Sequence, residues 1–142
     1  MIVGAGNDCL EIAATATNID ANVVVLETQE RELSRVTNSD MSDFYQKLHA
    51  AYGVDIKLNT GLNALKLTST GYQALLNNGE VLDFDSAIVG IGVQLNQSLA
   101  EEVRLECNNG IVVYMTTRTQ YTSSYAIGDC CFLSKIRQTH RT

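Results

Sequence analysis

The stretch Met1-Ile2-Val3-Gly4-Ala5-Gly6-Asn7-Asp8-Cys9-Leu10-Glu11 decides the fold. A short apolar run enters a glycine bend, and a helical pattern leaves it. Cys9, Leu10, Ile12, Ala13, Ala16 and Ile19 recur at the three- and four-residue spacing of a helix with one buried face, which predicts a helix over 8–20. Asn22–Glu27 follows as a continuous apolar run tipped by a carboxylate, the pattern of a central parallel strand. Strand, glycine bend, helix and strand together form one βαβ unit.

In such a bend the first glycine permits the tight turn and the second lets backbone approach a pyrophosphate. The third lets helix and strand pack closely, and the helix N-terminus faces the phosphates. Gly4 and Gly6 fill the first two places, while Cys9 stands in the third, so helix and strand are expected to sit slightly further apart. Glu27 lies about 20 residues on, where a carboxylate accepts hydrogen bonds from an adenosine ribose 2′-OH. Glu27 and Glu30 would repel a 2′-phosphate, and Arg31 is the one cation beside them, so NAD(H) is expected over NADP(H). Asp8 falls near the place of the pyrophosphate. Like charges about 6 Å apart, at an effective dielectric near 20, repel by roughly 3 kcal/mol before salt screening. Asp8 either weakens NAD binding directly or caps the helix, and in both roles it competes with the ligand.

Thr37-Asn38-Ser39-Asp40 has the T-x-x-D look of a helix start, with Met41, Phe44, Tyr45, Leu48 and Ala51 expected inward and a stop at Gly53. A third strand is predicted at 54–58. Segments 62–67, 72–76 and 81–84, punctuated by Thr70-Gly71 and Asn77-Asn78-Gly79, read as an antiparallel meander. Ser86–Gly92 reads as a buried strand entering a glycine turn, and 98–105 as a short helix. Gly110–Met115 and Tyr125–Ile127 read as two further strands, the second ending in Gly128-Asp129, and 133–142 as a polar, frayed tail.

The chain has 142 residues, with 45% hydrophobic and 18% charged residues, enough apolar content to bury a core. A net charge of −6 with scattered basic residues argues against capture of nucleic acid or an anionic membrane. No apolar run approaches the length of a membrane span, and no signal peptide opens the chain, so a cytoplasmic protein is expected. The cysteines, Cys9, Cys107, Cys130 and Cys131, form no C-x-x-C pair, and His49 and His140 lie far from them in sequence, so no metal site is expected. Adjacent Cys130-Cys131 is a poor disulfide candidate, and buried or half-buried thiols are expected throughout. Proline is absent, where roughly seven would be usual.

The motifs GAGNDCLEIAA, ANVVVLE, SDFYQKLHAAYGVDI, AIVGIG, NGIVV and YAIGDC, spread over residues 1–132, resemble the FAD-dependent pyridine nucleotide oxidoreductases of the ferredoxin, rubredoxin and putidaredoxin reductase type, a group similar to apoptosis-inducing factor. The resemblance implies an α/β fold, a Rossmann-like parallel sheet with an antiparallel β-meander crossover in three layers. It implies an NAD(P)-binding domain over 1–109, a fragment of the FAD-binding domain over 110–132 and the tail beyond. Carried over by position, Gly4, Gly6, Glu11, Glu27 and the run Gly90-Ile91-Gly92 would contact NAD, with Glu11 near the nicotinamide end. Gly128 and Asp129 would match the second FAD motif, the aspartate on the ribitol.

Departures accompany the matches. The first FAD segment and the C-terminal interface domain of the family have no counterpart, so the chain reads as a truncated member. Glu30, Leu95 and Thr122 occupy positions where the family pattern carries proline. The implied function is the NAD(H)-binding portion of a reductase that passes electrons from NADH through FAD to a ferredoxin- or rubredoxin-type acceptor. No side chain is needed as general acid or nucleophile. The alternative is a non-catalytic nucleotide-binding or interaction module, or an inactive gene remnant, because Asp129 is one arm of an incomplete flavin site. Edges and apolar residues of 110–132, such as Ile111, Val113 and Tyr125, are expected to be exposed and to invite homodimerisation.

Overall fold

The computed structural model describes residues 1–134; the expected tail beyond Ser134 lies outside the described residues. The chain divides into two compact units, Met1–Gly92 and a second beginning at Val93, a division that precedes the motif-based boundary at 109. In the first unit the elements are β1 (Ile2–Val3), α1 (Asn7–Thr17), β2 (Val24–Leu26), α2 (Ser39–Ala51), β3 (Asp55–Lys57), β4 (Leu62–Leu67), β5 (Tyr72–Leu76), β6 (Val81–Phe84) and β7 (Ile88–Val89). The second holds α3 (Ser98–Glu102), β8 (Ile111–Val113) and β9 (Cys131–Leu133).

β3, β2, β1 and β7 form a parallel sheet in that order, with Ile2 opposite Val25 and Val3 opposite Leu26. The two-residue period of a strand sends alternate side chains to opposite faces. Ile2 and Val25 therefore join Ala5, Cys9, Leu10 and Ala13 beneath α1. Leu26, flanked by Val3 and Val24, packs with Ala74 and Leu76 of the meander on the other face. The meander β4-β5-β6 is antiparallel and matches the predicted segments, with one register shift between Leu62 and Ala64. Three layers result, as expected: helices, parallel sheet and meander.

Several local expectations are corrected. α1 ends at Thr17, leaving Ile19 beyond the helix and 75% exposed. The cap of α2 is Asn38, not Thr37: its side chain accepts from the Met41 N–H at 3.0 Å. Met41, Phe44, Leu48 and Ala51 of α2 face outward; Ser42 is the buried residue and Tyr45 is partly buried. β7 is exposed at both residues rather than buried. In the second unit no strand forms over Tyr125–Ile127, where Tyr125 makes a single bridge to Arg118. The partner of β8 is instead β9, in parallel register, with Leu133 opposite Val113. Leu133 thus belongs to a strand and not to the expected tail. Val113 is buried and Ile111 half-buried, while Tyr125 is exposed.

The loop after β2 folds back on the glycine bend. The Leu33 N–H donates to Ala5 O at 3.0 Å. The Arg31 guanidinium donates to Thr37 O, Ser34 O and Ser42 Oγ, and the Ser42 hydroxyl donates to Glu32 O at 2.7 Å. The Glu32 side chain, between these anchored neighbours, is 1% exposed, and neither carboxyl oxygen has a hydrogen-bond partner among the described residues. Burial alone pushes its carboxyl up to about 7.

A raised carboxyl makes stability depend on pH in a definite sense. At low pH folded and unfolded chains are both protonated at this group, and it carries no penalty. As pH rises from the ordinary glutamate range towards 7, the unfolded chain ionises first and the fold loses stability; above 7 the loss is constant. After allowance for screening by solvent near this loop, the loss is about 2 kcal/mol. Glu32→Gln is expected to raise the melting temperature by several degrees at pH 8 and hardly at all at pH 4, measured by circular dichroism across that range.

Candidate functional site

The bend between β1 and α1 is fixed from three sides. The Gly4 N–H donates to Leu26 O at 2.8 Å, continuing the β1–β2 ladder past Val3. Gly4 has φ +104°, a region that favours glycine, and a Cβ there would overlap the carbonyl oxygen of Gly90. The Ala5 N–H donates to Glu27 Oε2 at 2.8 Å. The other oxygen of Glu27 accepts from the Gln29 N–H at 2.9 Å and the Thr28 hydroxyl at 3.3 Å. Glu27 is thus turned to the mouth of the bend, and charge-assisted bonds of this kind are the stronger ones.

Gly6 caps α1 with no side-chain hydrogen bond, and nothing lies within 4 Å of where its Cβ would stand. Asp8 is in the first turn but does not cap the helix, which corrects that expectation. Glu11, one turn further, accepts from Asn7 Nδ2 at 3.1 Å. Open backbone at Gly6, an uncapped helix start and a carboxylate across the mouth are donor and acceptor types that fit a dinucleotide; Asp8 opposes its phosphates.

Cys9 sits in the place of a third glycine, and Gly90 makes the room for it. The thiol is 2% exposed and donates weakly to Gly90 O at 3.7 Å. A Cβ on Gly90 would overlap Cys9 Sγ. The bulk is therefore taken up at the β7 end. Burial first, then the Asp8 and Glu27 carboxylates, push the Cys9 thiol up, leaving it protonated and unreactive. The Gly90 N–H donates to Val3 O at 2.8 Å, holding the Gly90-Ile91-Gly92 run at the edge of the same bend; Ile91 is 70% exposed and Gly92 has φ +120°.

The first unit thus brings Gly4, Gly6, Glu27 and Gly90 to one bend, with Glu11 on the helix leaving it. Gly128 and Asp129 lie in the second unit, in an exposed turn where Gly128 has φ +85° and accepts from the Cys131 N–H at 3.1 Å. Two contributors escaped the sequence reading. The Ala5 amide is a main-chain group without a sequence signature. The engagement of Arg31 with two loop carbonyls and the Ser42 hydroxyl of α2 depends on how the loop folds and leaves no signature in the sequence around it.

If Gly90 is the notch for Cys9, the two positions are coupled. Gly90→Ala is expected to destabilise the protein by about 1–3 kcal/mol, the range of overpacked sites. Most of that loss should return in the Cys9→Ala, Gly90→Ala double variant, read by a double-mutant cycle in urea. Gly4→Ala, whose clash is with backbone, should not be rescued by Cys9→Ala.

Residues 1–142 match the family described as pyridine nucleotide-disulphide oxidoreductase. The chain is 38% identical over 133 residues to rhodocoxin reductase of Rhodococcus erythropolis, covering 92% of this chain and 31% of that protein. It is 39% identical over 132 residues to a rubredoxin-NAD(+) reductase of Pseudomonas putida, covering 92% and 34%. Among solved structures, the covalent putidaredoxin reductase–putidaredoxin complex superposes with a TM-score of 0.86 at 35% identity, covering 93% of this chain and 32% of that one. The chain spans about a third of the length of the curated relatives it matches. On the family match over its whole length and the fold that positions the bend, the chain belongs to the pyridine nucleotide-disulphide oxidoreductases.

Proposed function

We propose that the glycine bend of the first unit binds NAD(H), as the nucleotide-binding portion of an FAD-dependent ferredoxin or rubredoxin reductase. The observation that carries this reading is the Glu27 carboxylate held at the bend by the Ala5 amide, 2.8 Å away, with open space at Gly6 beside it. In this reading Glu27 accepts from the adenosine ribose hydroxyls, and the Gly4–Gly6 backbone and the start of α1 receive the pyrophosphate. Glu11 and the Gly90-Ile91-Gly92 run border the cofactor towards its nicotinamide end. In a full-length enzyme of the family, the chemistry supplied would be hydride transfer from NADH to FAD and one-electron delivery to a ferredoxin- or rubredoxin-type iron–sulfur protein. Asp129 would hold the flavin ribitol. The chain's own residues bind and orient; none acts as acid, base or nucleophile.

Preference for NAD(H) over NADP(H) rests on two charges. Glu27 would repel a 2′-phosphate, and Arg31, the cation that could attract one, already donates to Thr37 O, Ser34 O and Ser42 Oγ. Releasing it would break the loop that holds Leu33 against Ala5.

A second reading applies to these 142 residues by themselves: nucleotide binding without turnover. It is favoured by the exposed position of Asp129 and by coverage of only 31–34% of the curated relatives. Exposed Tyr125, Ile127 and Leu133 would then support self-association.

Calorimetric titration of the purified chain tests the first claim. NADH is expected to bind weakly because of Asp8, and at least tenfold more tightly than NADPH. Glu27→Ala should lower NADH affinity about tenfold or more and erase the preference, whereas Gly6→Ala should leave thermal stability near wild type while weakening NADH. Equal or tighter NADPH binding would refute the assignment. A flavin absorbance band in the purified protein, with NADH-dependent dye reduction, would favour turnover; colourless protein that binds NADH would favour the second reading.

A further inference from the structure

The loop between β2 and α2 holds two adjacent features that cost stability and that nucleotide binding does not use. Glu32 is 1% exposed, and neither carboxyl oxygen has a hydrogen-bond partner among the described residues. Leu33 takes φ +52°, the left-handed region that a bulky side chain seldom adopts. Both are held down from outside the loop. The Leu33 N–H donates to Ala5 O of the bend at 3.0 Å, and its side chain joins the core with Ala5, Cys9 and Leu10. Glu32 O accepts from the Ser42 hydroxyl of α2 at 2.7 Å. Strained backbone and unpaired buried groups persist only where such surroundings over-determine them.

The elements around Glu32 offer its carboxyl no counter-charge. Arg31, its neighbour on the loop, donates to Thr37 O, Ser34 O and Ser42 Oγ. Glu30 and Arg35, also on the loop, are exposed. At the bend, Glu27 is taken by the Ala5 and Gln29 amides. α1 brings the buried Cys9 thiol, and α2 brings the partly buried Tyr45 with exposed Asp40 and Asp43 on either side of Ser42. None of these groups shifts the Glu32 carboxyl, which burial alone pushes up. Once ionised, Glu32 must reach water or take Arg31 from its three acceptors.

We propose that residues 31–37 form an acid-closed latch on the glycine bend: with Glu32 protonated the loop stays down on Ala5, and with Glu32 ionised it opens locally and lifts Leu33 out. Opening gives the carboxylate water and relaxes the left-handed backbone at Leu33. It breaks the Leu33–Ala5 and Ser42–Glu32 hydrogen bonds in exchange. The direction follows from linkage, because a proton held more tightly in the closed loop than in the open one is a proton that closing needs. Opening therefore grows as pH rises.

Amide hydrogen exchange on the full chain, without nucleotide, tests the latch independently of the NAD(H) reading. The Leu33 protection factor, corrected for the intrinsic pH dependence of exchange, is expected to fall about tenfold or more between about pH 5.5 and pH 8. Its weak dependence on urea should mark a local opening. The Asp55 N–H, which donates to Val23 O at 3.0 Å in the parallel sheet, should be better protected and depend steeply on urea. Glu32→Gln should keep Leu33 protected and flatten its pH response, whereas Ser42→Ala should lower protection at every pH and keep the response. The wild-type pH and urea series decides the matter even where a variant does not fold. Leu33 protection that ignores pH, falls equally in Glu32→Gln, or shares the urea dependence of Asp55 would overturn the proposal.

Discussion

The hydrogen bond from the Ala5 amide to the Glu27 carboxylate is the contact on which the rest depends. It exists because β1 and β2 are parallel neighbours in register, Val3 opposite Leu26, so that the residues just beyond each strand meet. Gly4 makes the meeting possible by taking φ +104° where a side chain would strike Gly90 O. A carboxylate next to a helix start is electrostatically favourable, and here it also satisfies a backbone amide that the bend would otherwise leave unpaired. One contact thus closes the bend, fixes the carboxylate and leaves Gly6 open.

Around this contact the molecule shows how a motif survives the loss of one of its members. A third small residue is needed where α1 crosses the sheet, and Cys9 is larger than glycine. The volume is recovered just past β7, where Gly90 has no side chain. Glu32 is the opposite case. It is a carboxyl buried between well-anchored neighbours with no partner of its own, and the fold tolerates it by holding on to its proton. Both lie within reach of the bend through backbone contacts, Gly90 N to Val3 O and Leu33 N to Ala5 O.

Much of this was legible in the sequence, for physical reasons. The helical spacing from Cys9 to Ala16 and the glycine-punctuated meander each point to one kind of element, and the short, β-branched apolar run at 23–26 reads as a buried strand by its length and composition. The facing of Glu27 to the bend follows from its place at the tip of that run, and the three-layer arrangement is what the family resemblance implied. What was not legible depended on partners outside each segment. The apolar stripe Met41, Phe44 and Leu48 shows that α2 has two faces, but not which face meets the sheet; polar Ser42 does, because it bonds the Arg31–Glu32 loop. Tyr125–Ile127 has the composition of a strand, yet β8 pairs with Cys131–Leu133. Periodicity reports a face, and only the fold reports what covers it.

The family membership and the geometry of the bend meet at a single claim, that a dinucleotide lies across Gly4–Gly6 with Glu27 beside it. Amide-resolved NMR during NADH addition tests it most directly. The account predicts that the Ala5, Gly6 and Gln29 amides shift in a saturable way, since they belong to the bend or to the Glu27 network, while Gly110 and Ile111 stay in place. Shifts confined to the second unit, or none at millimolar NADH, would contradict it.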